Sequence, residues 1–431
     1  MTATSAASTA PATPAIPTTE VAILGAGPGG AATALHLARA GIGSVVFDKA
    51  AFPRDKICGD ALSGKVISEL RRLSGDSDEL PALLRAEAAQ VPSWGIAFIA
   101  PNGEALRVPF KTGFDKAADR APGHLMRRLD FDDFLVRQVR RQPLIQLREH
   151  TEVADWTRDP ATGRWTLLDP HKNPLARARL VVAADGAHSR FGRTVGGHTL
   201  DPAHHCAGLR AYYRGVRGLD PDNFIELHFL RDFLPGYLWI FPLPDGAANV
   251  GVGMLTEAVS KKKVNLRRRL TEIIQEVPAL RERFAGATLE GPVQGFGLPL
   301  GSRMRPISGD GFLLVGDAGS LIDPFSGEGI SNALIAGRHA ADWAARALAA
   351  DNLGADFLRG YDAAVYRRLG PELRVSRRLQ QLLAFPRLFD FVVRRANRNP
   401  ALAELISSMF NDLDLRQRLR QPGFYARLLV G

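Results

Sequence analysis

The chain has 431 residues, of which 45% are hydrophobic and 23% are charged, and its formal net charge is +10. This composition is typical of a soluble globular protein that is large enough for two packed domains and a tail. The longest Ala-rich run, from Ser331 to Ala350, is interrupted by charged residues, which excludes a transmembrane span there. Cys58 and Cys206 are the only cysteines, which excludes a disulfide framework and favours a cytoplasmic location.

The first residues of the chain do not resemble a folded segment. Residues 1–19 consist mostly of Ala, Thr, Ser and Pro, with neither a basic start nor an apolar core. We therefore predict a disordered leader rather than a signal peptide. The first strand-like apolar run, Val21 to Leu24, follows directly.

A glycine-rich turn comes after that strand. Residues 25–30 read G-A-G-P-G-G, which fits the pattern G-x-G-x-x-G, and an Ala-rich helical stretch follows. In this pattern Gly25 permits a tight turn, Gly27 lets a pyrophosphate approach the backbone, and Gly30 lets the helix pack on the strand. A second apolar strand ends at Asp48, where a carboxylate can accept a hydrogen bond from a ribose hydroxyl. The segment predicts a dinucleotide site that favours FAD or NAD over NADP.

Two later strands also end in polar turns. Asp185 and Gly186 follow one apolar strand, and Gly316 and Asp317 follow another. Each pattern alone is common in α/β proteins. Together with the first turn, and in this order, they resemble the three FAD fingerprints of the para-hydroxybenzoate hydroxylase-type flavoproteins.

This resemblance implies non-covalent FAD binding and implies roles for several residues. It implies that Asp317 holds a ribityl hydroxyl, and that a helix beginning near Gly329 points its positive end at the flavin pyrimidine. Arg128 begins the run R-L-D-F-D, which matches the family's R-x-x-F-D helix start, so its side chain is implied to lie near the cofactor. The implied cofactor-binding set is completed by Gly25, Gly27, Gly30, Asp48, Asp185, Gly186 and Gly316.

Two further stretches resemble one branch of these flavoproteins, the geranylgeranyl reductases. Residues 52–63 contain P-R-D-K-I-C-G, close to that branch's pattern P-R-x-K-x-C-G. Residues 235–242 read P-G-Y-L-W-I-F-P, which matches P-x-Y-x-W-x-F-P. The resemblance extends over residues 20–345 and becomes weak in the tail.

These two stretches contain the candidate catalytic-site residues. Tyr237, Trp239 and Phe241 alternate along a predicted strand, so we expect an aromatic wall on one face, which suits an apolar ligand. An ordinary half-buried strand would show the same alternation. The resemblance implies that Tyr237 and Trp239 shape the substrate pocket and that Cys58 lies near the flavin.

The predicted fold is α/β, or α+β overall. We expect a doubly wound FAD-binding domain assembled from the discontinuous segments 20–85, 120–200 and 295–350. Residues 86–119 and 201–294 are expected to form a substrate-binding domain built on an antiparallel sheet. Residues 351–431 are expected to form a basic helical C-terminal region.

The C-terminal region carries most of the positive charge. Residues 366–431 contain thirteen arginines and five acidic residues, which is +8 of the net charge of +10. Apolar residues are interleaved with the arginines, so the region is either a peripheral contact with the inner face of a membrane or an ordinary C-terminal cap. No nucleic-acid-binding motif accompanies the charge, so no nucleic-acid partner is expected.

The predicted function is that of an FAD-dependent oxidoreductase that saturates isolated double bonds of a polyprenyl lipid or isoprenoid chain. No second G-x-G-x-x-G turn follows a strand, so NAD(P)H or a reduced carrier is expected to dock transiently as the electron donor. One alternative is an FAD-dependent monooxygenase or flavin halogenase, although Tyr237 and Phe241 break the halogenase pattern W-x-W-x-I-P. Another alternative is a non-catalytic isoprenoid-binding flavoprotein. The sequence leaves the oligomeric state open.

Overall fold

The computed structural model describes residues 16–399. Its strands are β1 (Thr18–Leu24), β2 (Ser44–Phe47), β3 (Ala61–Leu62), β4 (Gln90–Ser93), β5 (Gly95–Ile99), β6 (Ala105–Pro109), β7 (Gly123–Met126), β8 (Ile145–Arg148), β9 (Asp155–Arg158), β10 (Trp165–Leu168), β11 (Pro174–Ala183), β12 (His205–Arg214), β13 (Ile225–His228), β14 (Tyr237–Pro242), β15 (Ala247–Leu255), β16 (Thr288–Pro299), β17 (Ser308–Gly309) and β18 (Phe312–Leu314). Its α-helices are α1 (Pro28–Arg39), α2 (Gly64–Leu73), α3 (Glu79–Ala86), α4 (Arg128–Arg140), α5 (Arg190–Thr194), α6 (Thr256–Lys262), α7 (Leu266–Glu276), α8 (Pro278–Phe284), α9 (Ile330–Ala349), α10 (Ala355–Leu382) and α11 (Pro386–Arg398).

The first sheet joins strands that are far apart in sequence. Its order is β17-β18-β11-β1-β2-β8, with β10 and β9 added beside β11. β1 pairs in parallel with β2 and β11, and β11 pairs in parallel with β18, as a doubly wound sheet requires. The prediction of an α/β fold built from discontinuous segments is confirmed. β1 begins at Thr18, inside the predicted leader, whose residues 1–15 lie outside the described residues.

Two helices pack closely beside this sheet. α1 contacts α9, and a Cβ atom on Gly337 of α9 would lie only 2.5 Å from the carbonyl oxygen of Gly29 in α1. Glycine at this position therefore allows the two helix backbones to approach each other. The contact joins the first and last segments of the predicted FAD-binding domain.

The second sheet has the order β16-β12-β15-β14-β13-β5-β6. All of its pairs are antiparallel except β5 with β13, which are parallel. The prediction of an antiparallel sheet is therefore wrong for the pair β5 and β13. Parallel pairing is possible there because a long segment of the chain connects the two strands. α7 and α8 cover one face of the sheet through a buried apolar cluster that includes Leu270, Ile273, Leu238 and Val252.

The domain boundaries given above stay a prediction, and two elements cross them. β16 pairs with β12 along its length and runs through the predicted boundary between residues 294 and 295. β4 lies in a predicted substrate-domain segment, but it pairs with β7 in a small sheet of order β3-β7-β4. In sequence, the strands of this small sheet are interspersed among strands of the two larger sheets.

The last two described helices pack on both parts of the molecule. Leu358, Tyr361 and Leu369 of α10 belong to the core of the first sheet. Phe389 and Val393 of α11 belong to an apolar cluster with residues of the second sheet. No helix within residues 16–399 is both long enough and apolar enough to cross a membrane.

Candidate functional site

A cavity of about 540 Å³ lies where the two large sheets meet. Its walls include most of the site residues predicted from the sequence: Gly25, Gly27, Asp48, Cys58, Arg128, Asp185, Gly186, Tyr237, Trp239, Gly316, Asp317 and Gly329. Gly30 is the exception, because it is buried at the start of α1. The structure therefore gathers three distant motifs and the aromatic strand around one space.

The three glycines of the first turn differ in the reason why a side chain would not fit. Gly25 has a φ of 93°, and a Cβ atom there would lie 2.5 Å from the carbonyl oxygen of Ala184. A Cβ atom on Gly30 would lie 1.8 Å from the carbonyl oxygen of Gly25, so only glycine fits beneath the turn. A Cβ atom on Gly27 would meet only the end of the Arg54 side chain, at 3.6 Å. Gly27 is thus the position where a side chain would occupy cavity space.

The carboxylate of Asp48 is held at the end of β2. Its Oδ2 accepts the N–H of Ala26 and its Oδ1 accepts the N–H of Ala50, each at 2.9 Å. Asp48 is 8% exposed, and the guanidinium of Arg54 lies 3.8 Å away. The backbone of the turn therefore fixes the orientation of the carboxylate, which still borders the cavity.

Arg128 begins α4, as the sequence pattern predicts, and its side chain is buried rather than exposed. Its Nε and Nη2 atoms donate to the two carboxylate oxygens of Asp132, at 2.6 and 2.8 Å. Arg54 donates to the same carboxylate at 2.9 Å. Although burial opposes the charge, Asp132 and the nearby Cys58 raise the pKa of Arg128. The site thus holds, beside Cys58, a guanidinium that stays charged and is paired with Asp132.

Asp317 lies beside a lysine that the sequence analysis did not select. The Nζ of Lys56 is 3.8 Å from Oδ2 of Asp317 and 3.7 Å from the centre of the Phe296 ring. Burial lowers the pKa of Lys56, and Asp317 partly offsets that effect. Gly329 is the N-cap of α9, and a Cβ atom there would lie 3.3 Å from Oδ1 of Asp317. The start of α9 and the Gly316-Asp317 turn therefore meet at one wall of the cavity.

The aromatic residues of β14 form a wall of the cavity. Tyr237, Trp239 and Phe241 all line it, whereas Leu238 and Ile240 point to the cluster on the opposite face. Tyr237 donates to the carbonyl oxygen of Ser326 at 3.3 Å. The alternation expected from the sequence is present, and it gives the cavity one apolar side.

A hydrogen-bond network behind this wall ties it to the Cys58 loop. Asn249 accepts the indole N–H of Trp239 at 2.8 Å and donates to the carbonyl oxygen of Cys58 at 2.7 Å. Asn249 also donates to Oδ2 of Asp60 at 2.8 Å, and Tyr212 donates to the same oxygen at 2.7 Å. Asp60 and Asn249 are fully buried. These two residues therefore fix the position of the wall relative to the loop.

Sequence reasoning missed Asp60 and Asn249 as site residues. Asp60 follows the P-R-x-K-x-C-G pattern directly, and Asn249 begins the run N-V-G-V-G, which is also a geranylgeranyl reductase signature. Asp60 therefore adjoins a recognised motif, and Asn249 lies inside one. The two residues are 189 positions apart in sequence, and their hydrogen bond depends on the fold rather than on any local pattern.

We predict a pH-dependent contribution of Asp60 to stability. Burial raises its pKa from an ordinary 3.8 to about 6, with Asn249 and Tyr212 opposing part of the rise. Between these values the folded state binds more protons than the unfolded state, so the free energy of unfolding falls as pH rises. Relative to Asp60→Asn, the free energy of unfolding of the wild type should fall by about 2 kcal/mol between pH 4 and pH 7. Denaturant unfolding of both proteins at several pH values measures this; a constant difference would contradict it.

Known proteins resemble this chain in sequence. Residues 18–209 match the family described as FAD binding domain. A menaquinone reductase of Mycolicibacterium smegmatis is 30% identical over 400 residues, which is 91% of each chain. A digeranylgeranylglycerophospholipid reductase of Methanopyrus kandleri is 32% identical over 346 residues, covering 79% of this chain and 84% of that one.

Solved structures share the fold. A geranylgeranyl bacteriochlorophyll reductase-like protein of Thermoplasma acidophilum has a TM-score of 0.75 at 22% identity, covering 89% of this chain and 92% of that one. A flavin-dependent brominase has a TM-score of 0.74 at 21% identity, covering 92% and 94%. The family match and the sequence relatives define an FAD-dependent oxidoreductase. Within that class, the sequence relatives show that the chain belongs to the geranylgeranyl reductase family.

Proposed function

We propose that this enzyme saturates isolated double bonds in the polyprenyl chain of an isoprenoid lipid. The observation that carries the proposal is the shared cavity, in which the FAD motifs face a wall built from Tyr237, Trp239 and Phe241. The names of two relatives support the substrate class, since menaquinone and digeranylgeranylglycerophospholipid both contain polyprenyl chains. Menaquinone is the more strongly supported of the two, because its reductase matches 91% of both chains.

The residues around the cavity suit FAD, and we assign them as follows. The open space at Gly27 admits the pyrophosphate, and the fixed carboxylate of Asp48 accepts a ribose hydroxyl. Asp317 binds the ribityl chain, and the N-terminus of α9 at Gly329 faces the flavin. Arg128, Asp185 and Gly186 complete this set, and Gly25, Gly30 and Gly316 shape the backbone around it.

The side chains of the wall supply the conditions for the reaction. Reduced FAD supplies a hydride when it is bound. Trp239 and Tyr237 hold the apolar chain and exclude water, which an unactivated double bond requires. Asn249 fixes the Trp239 indole, and Arg128 keeps a positive charge beside Cys58. We further propose that NAD(P)H or a reduced carrier reduces the flavin and then leaves.

The reaction class can be tested with the purified enzyme. Under strict anaerobiosis, dithionite-reduced protein should add about 2 mass units per saturated double bond to a menaquinone or a geranylgeranyl lipid. Mass spectrometry of the extracted lipid measures this gain. A requirement for oxygen with a gain of about 16 mass units would identify a monooxygenase instead. If no donor reduces the bound FAD, the protein is a non-catalytic lipid-binding flavoprotein.

The outer face of α11 supports a peripheral position at the inner face of a membrane. One side of this helix packs on the second sheet, but Phe391 and Leu388 are 61% and 47% exposed, and Phe385 at the N-cap is 62% exposed. The exposed arginines Arg387, Arg394, Arg395 and Arg398 belong to the same helix. Exposed aromatic and basic residues together fit an anionic lipid surface.

We expect Phe385→Ser with Phe391→Ser to weaken binding to anionic phospholipid vesicles. Loss of two apolar anchors removes buried area, and the remaining arginine contacts are screened by salt. Sedimentation with vesicles at low and high salt measures the apolar and the electrostatic contributions to binding. Leu83→Ser, at an exposed leucine of α3, should leave vesicle binding unchanged. If wild type and double variant sediment equally, α11 is a cap without a membrane contact.

A further inference from the structure

The reaction proposed above needs an acid, and the cavity contains an unassigned carboxyl group on the side of the aromatic wall. Glu328 lines the cavity one residue beyond Gly327. A Cβ atom on Gly327 would lie 3.1 Å from the hydroxyl of Tyr237. The hydroxyl of Ser63, in the chain just after the Cys58 loop, donates to the carboxyl of Glu328. Glu328 therefore follows a residue that lies against the wall, and its carboxyl contacts the segment just after that loop.

Other polar groups at the wall are poor proton donors. Burial raises the pKa of Asp60 as well, but Oδ1 of Asp60 already accepts the backbone N–H of Arg128 and Oδ2 accepts Tyr212 and Asn249, so donors occupy both oxygens. Burial raises the pKa of the Tyr237 hydroxyl far above its usual range. Burial also raises the pKa of Glu328, which favours the protonated acid.

Glu328 also borders a second space behind the wall. A small cavity of about 10 Å³, close to the volume that one water molecule needs, is lined by Glu328, Lys65, Asp323 and Glu372. The Nζ of Lys65 donates to Glu372 at 2.6 Å, and both side chains are less than a tenth exposed. Arg368 donates to the other oxygen of Glu372 at 2.8 Å. Lys65, Glu372 and Arg368 thus form a chain of polar contacts from the small cavity beside Glu328 to the partly exposed Arg368.

We propose, on the basis of the proposed function, that Glu328 is the acid that protonates the double bond. The π bond breaks as one carbon takes the proton of the Glu328 carboxyl and the other takes a hydride from reduced flavin. The alkene gains two electrons and the flavin loses them. The Glu328 carboxylate then regains a proton from solvent through the small cavity beside Lys65.

The substitution Glu328→Gln tests this assignment, because it keeps the side-chain volume and an acceptor for Ser63 while removing the acidic proton. FAD content and reduction by dithionite should be unchanged, whereas saturation of the lipid should fall at least 100-fold, as expected for loss of a general acid. Glu328→Asp should restore part of the rate. Glu257→Gln, at a surface residue paired with Lys261, should behave like the wild type.

A second measurement does not depend on turnover. Infrared spectroscopy of the flavin-free protein, titrated with pH, should show a protonated carboxyl band that Glu328→Gln lacks and that persists to higher pH than the band of an ordinary glutamate. The charged groups that face this carboxyl are Lys65 and Asp323, with Glu372 behind Lys65. Absence of the band, or full saturation activity in Glu328→Gln, would overturn the assignment while the reductase function stands. A wild type that saturates no isoprenoid lipid would overturn the proposed function, and this assignment with it.

Discussion

Gly27→Val protein is expected to fold and to purify without FAD. A Cβ atom at this position meets only the flexible end of Arg54, so the substitution leaves the backbone unstrained. Its branched side chain would instead fill the space through which the pyrophosphate approaches the turn. The flavin absorbance per protein chain, together with circular dichroism, measures both parts of this result.

A nearby glycine provides the matched control. Gly43 precedes β2, and a Cβ atom there would lie 3.7 Å from the carbonyl oxygen of Leu144, which is an ordinary contact. Gly43→Val should keep its flavin. Equal flavin content in the two variants would refute the placement of the pyrophosphate at Gly27.

The second large effect is expected from Trp239→Ala, which should retain FAD and lose turnover on the order of 100-fold. The indole is a wall of the cavity, and substrate positions that shift by about 1 Å can reduce rates by that factor. The substitution also removes a buried indole and leaves the Asn249 carbonyl without its donor, so the free energy of unfolding should fall by about 3–5 kcal/mol. Lipid saturation assays and denaturant unfolding measure the two effects.

Two variants distinguish a specific effect of the aromatic wall on turnover from a general loss of packing. Trp239→Phe keeps an aromatic ring and should retain more turnover than Trp239→Ala. Trp156→Ala removes an indole that packs 4.8 Å from the Phe191 ring, away from the cavity. Trp156→Ala should destabilise the protein with little change in turnover. A similar loss of turnover in Trp156→Ala would mean that the Trp239 effect arises from stability alone.

Local patterns were sufficient to predict the dinucleotide-binding turn and the aromatic strand, whereas FAD was implied by the resemblance of three motifs taken together. A strand, a tight turn and a helix follow one another within residues 21–39, so the spacing of Gly25, Gly27 and Gly30 reports the geometry directly. The alternation at Tyr237 and Trp239 likewise follows from the period of a strand. In both cases, the interactions that determine the structure are between close neighbours in sequence.

Other features depend on contacts that no short window contains. Glu328 meets Ser63 across 265 positions, and each is a single polar residue among small or apolar neighbours. The parallel pairing of β5 with β13 depends on how the whole chain crosses between sheets. The sequence predicted a basic helical tail, but which side of α11 is covered depends on the second sheet. These features follow from tertiary packing rather than from propensity.

The order of segments in the first sheet also affects how the protein is made. β1, β11 and β18 are neighbours in the sheet but begin at Thr18, Pro174 and Phe312. α1 contacts α9 at Gly29 and Gly337. During synthesis on the ribosome, this contact can form only after nearly 350 residues have been made. The second sheet uses strands that emerge before β18, so it can form on the nascent chain first. Flavin capture should therefore be a late event in biosynthesis.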